Sequence, residues 1–271
     1  MSKAMLVDTT RCTGCRGCQV ACKQWNDKPG ESTTYSPTGS NPPRLSVKTW
    51  TYVDFRPAER TNGQTTWSFV KRQCMHCLDP ACVSACATKA LTKTKEGPVI
   101  YRVERCFGCR YCMVACPFDV LRFEWDSANP SLQKCQFCFD RIQDGKEPAC
   151  AKTCPTDAIM FGERDALLEE ARTRVYSQPA KYVQHIYGEK EAGGTSWLYV
   201  SDVPFEDLGL PTNVKERPYP ELTKGFLVGV PLVLLAWPVA LAGVNALVKL
   251  RERGLNKGNG HDGEDGQGGA R

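Results

Sequence analysis

Apolar and polar positions follow different periods along the chain, and those periods predict short strands, short helices and one long apolar helix. AMLVD (4–8), PVIYRV (98–103), VLRFEW (120–125) and AIMFG (158–162) are runs rich in branched and aromatic residues, which is the pattern of strands. LSVKTWTYVDF (45–55) and TTWSFVKR (65–72) predict two more. CQVACKQW (18–25) and CMVACPF (112–118) predict single helical turns. In RDALLEEARTRV (164–175) the helical period sets Leu167, Leu168 and Ala171 on one inward face. The stretch from Lys28 to Arg44 is rich in Pro, Gly, Ser and Thr and predicts a loop. DVPFEDLGLPTNVKERPYPEL, after Ser201, predicts an extended lead toward the last apolar segment.

That segment, FLVGVPLVLLAWPVALAGVNALV (226–248), contains no charged residue. As a helix it reaches about 34 Å, enough to cross the roughly 30 Å hydrocarbon core of a bilayer. It is apolar on every face, which a buried helix of a soluble protein does not need. Pro231 and Pro238 are tolerated in membrane spans where neighbours compensate. Gly225 and Gly229 form a small-xxx-small pair suited to a helix partner. The Gly-rich polar tail beyond the span predicts disorder.

Composition changes the picture of the interior. Hydrophobic residues make up 41% of the 271, and 16 residues are Cys, so metal or disulfides must organise much of the core. The start of the chain has no apolar run of signal-peptide length before Cys12, so the cysteines point to metal. The net charge of +5 is spread without a basic block or aromatic–basic interleaving, and no nucleic-acid partner is expected.

The cysteines fall into four motifs of four: Cys12, Cys15, Cys18, Cys22; Cys74, Cys77, Cys82, Cys86; Cys106, Cys109, Cys112, Cys116; and Cys135, Cys138, Cys150, Cys154. The first and third match the bacterial ferredoxin spacing, where a ligand at every third residue wraps three corners of one cubane. Gly14, Gly17 and Gly108 let the backbone turn tightly there. Zinc ribbons use two separated pairs instead, and disulfides within a Cys-x2-Cys pair are strained. A zinc-organised interaction protein is the competing class; broad visible absorption and about sixteen irons per chain exclude it.

In two-cluster ferredoxins the last Cys of each motif crosses to the other cluster. The second and third motifs are neighbours in the chain, so they pair, and the first pairs with the fourth. Four [4Fe–4S] clusters are then expected: Cys12, Cys15, Cys18 and Cys154; Cys22, Cys135, Cys138 and Cys150; Cys74, Cys77, Cys82 and Cys116; Cys86, Cys106, Cys109 and Cys112. The fold class is α+β. Two nested bacterial-ferredoxin-like modules are expected: an outer one (1–22 and 126–165) around an inner one (74–125). They carry an insertion (23–73) that covers a module face, a peripheral extension (166–223), a transmembrane helix (224–250) and a disordered tail (251–271). Arg16, Lys23, Arg110 and Lys134 lie near ligands, placed either to raise cluster potentials or as solvated charge. His76 finds no vacancy in a full Cys set and is expected beside the ligands or at the surface. No catalytic acid–base set is present.

CTGCRGCQVACKQWN, WSFVKRQCMHCLDPACVSAC, CFGCRYCMVACPF, KCQFCFDRIQDGKEPACAKTCPTDAI and GGTSWLYV together resemble the iron–sulfur beta subunit of membrane-bound molybdenum- or tungsten-dependent formate dehydrogenases. Ala87 departs from the family, which usually has Pro there. The resemblance implies a non-catalytic electron-transfer subunit between a molybdopterin catalytic subunit and a membrane cytochrome b or quinone-reactive subunit, anchored in membrane lipid. Related subunits serve hydrogenases and other molybdopterin oxidoreductases. The resemblance and the basic residues Lys249, Arg251, Arg253 and Lys257, against Lys215, Arg217 and Lys224, imply a cytoplasmic C-terminus in the cytoplasmic membrane. The cluster domain then lies on the periplasmic or outer side.

Overall fold

Strand β1 (Lys3–Asp8) is the central strand of a three-stranded sheet, and Ala4, Met5, Leu6 and Val7 are all buried. The computed structural model describes residues 2–59, 63–126 and 130–258. It divides into a unit ending at Pro220 and a helical unit beginning at Glu221. After β1 come α1 (Gly17–Trp25), β2 (Tyr52–Glu59), β3 (Thr65–Arg72), α2 (Ala81–Ser84), β4 (Leu91–Lys93), β5 (Val99–Tyr101) and α3 (Tyr111–Ala115). The order continues with β6 (Arg122–Phe123), β7 (Leu132–Gln133), α4 (Phe139–Gln143), α5 (Ala149–Lys152), β8 (Ile159–Glu163), α6 (Arg164–Ser177), β9 (Trp197–Val200) and α7 (Tyr219–Gly258).

β1 lies between β8, antiparallel, and β9, parallel. Its side chains divide by the two-residue period of a strand. Met5 and Val7, with Trp197 and Tyr199 of β9, enter the main core beside Cys18 and Cys150. Ala4 and Leu6, with Leu198 and Val200, enter a second core that Leu167, Leu168, Ala171 and Val175 of α6 cover. A strand buried on both faces shows a continuous apolar run rather than alternation, which AMLV is. Since β1 precedes the first Cys motif and β8 follows the fourth, this pairing joins the two ends of the Cys-bearing stretch. β4–β5 and β6–β7 are separate antiparallel pairs around a third core that includes Cys82 and Cys112.

Asp8 closes the end of β1. Its buried carboxylate accepts from the Thr10 N–H at 3.0 Å, Thr10 Oγ1 at 2.6 Å, Arg174 Nη1 at 2.9 Å and the Tyr182 hydroxyl at 2.9 Å. One side chain thus ties the sheet, the approach to Cys12 and α6 together. Removing one partner of a buried ion pair costs about 3–5 kcal/mol. Asp8→Ala is expected to destabilise the folded chain by about 3 kcal/mol. A fall in the denaturation midpoint checks this, and an unchanged midpoint contradicts it.

The insertion carries the β2–β3 hairpin, in register from Tyr52–Arg72 to Glu59–Thr65. Residues 45–51, expected to belong to the first of these strands, form no strand, and the strand extends instead to Glu59. Gln19 of α1 stitches the insertion down, donating to the Asn41 carbonyl at 3.1 Å and accepting from Val53 N–H at 3.2 Å. The Pro-rich stretch after Ser201 is irregular, but it packs: Val203, Phe205, Leu208, Leu210 and Val214 are all in the main core.

α7 starts at Tyr219, earlier than expected, and continues through Pro231 and Pro238 to Gly258. It therefore takes in 251–258, which were expected to be disordered; residues 259–271 lie outside the described residues. Among the described residues it is the one helix long and apolar enough to cross a membrane. Leu232, Val233, Leu234, Leu235 and Trp237 are all exposed along it.

Candidate metal centres

The first and third Cys motifs have the same backbone shape. Each contains two left-handed residues, Gly14 and Arg16 (φ 68° and 59°) and Gly108 and Arg110 (76° and 62°). That conformation is open to Gly at no steric cost. It turns amides inward, and the Gly108 N–H donates to Cys106 Sγ at 3.4 Å. A Cβ on Gly14 would stand 2.8 Å from the Phe69 ring, because β3 lies against the loop. In the second motif His76 is left-handed (50°), and in the fourth Phe137 and Cys138 are (61° and 48°). The Phe137 N–H donates to Cys135 Sγ at 3.3 Å, and Asn26 Nδ2 to Cys22 Sγ at 3.6 Å. Such bonds stabilise sulfur-borne charge and tune the potential of a cluster.

All 16 cysteines carry free thiols, and they gather in fours. Cys12, Cys15, Cys18 and Cys154 line one small cavity. Cys22, Cys135, Cys138 and Cys150 line another. Cys86, Cys106, Cys109 and Cys112 line a third. The thiols that bear on Cys77 are Cys74, Cys116 and Cys82. In every group the last Cys of one motif stands among the first three of another.

Among the described residues no three His, Cys, Asp or Glu side chains are drawn together closely enough to hold one metal ion. A tetrahedral zinc at about 2.3 Å from each thiolate would pull the sulfurs to about 3.8 Å from one another. Sulfurs that ring a cavity suit a polynuclear group, and all-thiolate donors suit iron–sulfur clusters.

Burial is the main cause acting on these thiols. It pushes Cys18, Cys135, Cys138 and Cys150 up to about 11 and Cys112 up to about 12, with neighbouring thiols adding to the rise. Without a cation these groups keep their protons at neutral pH, so ligation must displace them. The same electrostatics show which groups are adjacent. Cys150 feels Cys18, Cys135 feels Cys74, and Cys82 feels Cys112. The four groups therefore follow one another in a row.

His76 is fully buried, which removes the surface alternative. Its Nδ1 accepts from the Val99 N–H at 2.9 Å, and its ring meets Phe137 edge-on at 4.9 Å. Burial first, then Lys134, Lys93 and Lys71, holds it well below the usual His range, so the ring is neutral. Lys134 is buried, and its ammonium donates to the carbonyls of Val99 and Cys135. Arg16 donates to the Gly39 carbonyl and stacks on Phe55, and Arg110 stacks on Trp125. Lys23 reaches the carbonyls of Pro29 and Lys48.

Lys71 was not singled out by its place in a strand, yet it is buried and lines two of the thiol cavities. A Lys between Val70 and Arg72, three residues ahead of Cys74, was the available signal.

Two family models described as a 4Fe-4S dicluster domain match, over residues 11–90 and 65–164. The chain is 39% identical over 247 residues to the iron-sulfur subunit of the nitrate-inducible formate dehydrogenase of Escherichia coli K12, covering 89% of this chain and 82% of that one. The chain belongs to the ferredoxin-type iron–sulfur subunit family. It is also 35% identical over 304 residues to the hydrogenase-2 operon protein HybA of Escherichia coli O157:H7, covering 97% and 88%. A protein of Nitratidesulfovibrio vulgaris is 42% identical over 255 residues, covering 93% and 68%. As a member of this family the chain binds 4Fe–4S clusters and is an electron-transfer subunit, not a catalytic one.

Proposed function

We propose that this iron–sulfur subunit holds four [4Fe–4S] clusters on the four thiol groups described above, in two nested modules. It would pass electrons from a molybdopterin formate dehydrogenase subunit to a membrane cytochrome b or quinone-reactive subunit. The observation that carries the reading is the crossing of each terminal Cys into the group of another motif. When bound, each cluster supplies a one-electron couple. The chain's own residues set the order of the groups and bury them. Cys15 and Cys109, in the groups at opposite ends of the row, are exposed, so the row opens to the surface at both ends. The β1–β8 pairing brings the first and fourth motifs together and supports the nesting.

Purification of the intact complex tests the reading. A co-purifying molybdenum or tungsten subunit, with formate bleaching the cluster absorption, is the expected result. The likeness to HybA supports a second reading, electron transfer beside a hydrogenase. A nickel–iron large subunit, with hydrogen and not formate reducing the clusters, would establish that reading instead.

α7 would anchor the subunit by a single crossing, with its C-terminus cytoplasmic and the cluster domain on the outer side. The basic residues after the span and the likeness to formate dehydrogenase subunits support that orientation. A cysteine-free tag placed after Gly260 should resist protease added to intact spheroplasts. Digestion of the tag from outside would reverse the orientation.

A further inference from the structure

Lys71 is 3% exposed, on β3. Its ammonium donates to Thr51 Oγ1 at 2.7 Å and Gln73 Oε1 at 3.1 Å, both neutral acceptors. It lies 4.5 Å from the centroid of the Trp197 ring. Gln73 Nε2 donates to the Tyr199 hydroxyl at 2.6 Å, which in turn donates to the Lys71 carbonyl at 2.8 Å. β9 thus fixes both the head and the backbone of the residue. Burying an ammonium among neutral partners is costly, and such a charge persists only where anionic groups offset it. Here the offset is at hand on two sides. Lys71 lines both the cavity of Cys12, Cys15, Cys18 and Cys154 and that of Cys22, Cys135, Cys138 and Cys150.

We propose that Lys71 is a shared electrostatic positioning residue, a fixed buried cation between these two thiol groups that raises the reduction potentials of both. This rests on the ligand reading given above. Reduction adds one electron, and so one negative charge, to a thiolate-ligated cluster; no bond forms or breaks at Lys71, and its proton stays in place. A nearby cation stabilises the added charge, and net charge is among the determinants of such potentials. One side chain serving two centres predicts that both move together and that the other two do not.

The test is a redox titration of the full-length subunit within its complex, with dithionite as reductant and electron paramagnetic resonance as readout. Cys12→Ser and Cys22→Ser assign the signals of the two groups. In Lys71→Met the reduction equilibrium constant of both assigned centres should fall at least tenfold, about 59 mV each for one electron. The signals of the inner pair should stay in place, and Lys71→Arg should restore the outer pair. Thr51→Asp sets a carboxylate beside the ammonium and should lower the same two potentials even if Lys71→Met loads iron poorly. Unchanged potentials in either iron-replete variant overturn the proposal, as does a shift confined to one centre or falling on the inner pair. A wild-type chain with fewer than four clusters would instead overturn the ligand reading, independently of Lys71.

Discussion

Cys86→Ser is expected to strip or convert the centre built on Cys106, Cys109 and Cys112 and to leave that of Cys74, Cys77 and Cys82 intact. Cys86 follows α2, which belongs to the second motif, but its sulfur opens into the cavity of the third. Its thiol is prepared for ligation. Although burial raises it, the backbone of Leu91, Ala90 and Thr88 and the Thr88 hydroxyl outweigh that and lower it. Serine offers a poorer, harder ligand to iron, so up to about four irons per chain should be lost. The reciprocal variant, Cys116→Ser, should affect the Cys74 centre, since Cys116 bears on Cys77 and feels Cys74 in turn. Electron paramagnetic resonance of each variant reads the outcome. A loss confined to the Cys74 centre in Cys86→Ser would remove the crossing.

Ending the chain at Thr223 should release the subunit from the membrane while keeping its iron. The unit ending at Pro220 contains every cysteine, and all of α7 beyond Pro220 belongs to the second unit. Leu and Val at the middle of a span each favour insertion by about 0.3–0.6 kcal/mol, so the exposed apolar side chains of α7 together favour the bilayer by several kcal/mol. Fractionation of cells that express the chain without partners measures the effect. Nearly all of the full-length subunit should sediment with membranes, and nearly all of the shortened one should stay soluble, with the same iron per chain. A shortened chain that still sediments, in the absence of partners and of aggregation, would show a second anchor.

The metal chemistry was legible because cysteine spacing is a local property. A thiol at every third residue, as in the first and third motifs, has few uses, and sixteen thiols in four groups of four left none for other work. The strands 3–8, 99–101 and 159–163 and the helix 164–177 were legible for the same reason, since each has its own apolar period. The long-range parts were less so. WLYV becomes a strand because β1 offers a parallel edge across nearly two hundred residues of chain, and no feature inside four apolar residues announces that. The segment after Ser201 looked like an extended lead because its prolines interrupt every regular period. Its Val203, Phe205, Leu208 and Leu210 are nevertheless core residues, held in an irregular path. Lys71 was hidden by its type: a lysine on a strand is expected in solvent, and nothing local to it announces the two thiol cavities that it lines in the fold.

Iron and acid-labile sulfide per chain, together with the Mössbauer spectrum of the iron-57-labelled full-length subunit in its complex, test the central claim most directly. Four crossed thiol groups predict about sixteen irons and about sixteen sulfides per chain, all in the spectrum of thiolate-ligated [4Fe–4S] centres. About eight irons with zinc in the remaining motifs, or a spectrum dominated by mononuclear iron, would contradict it.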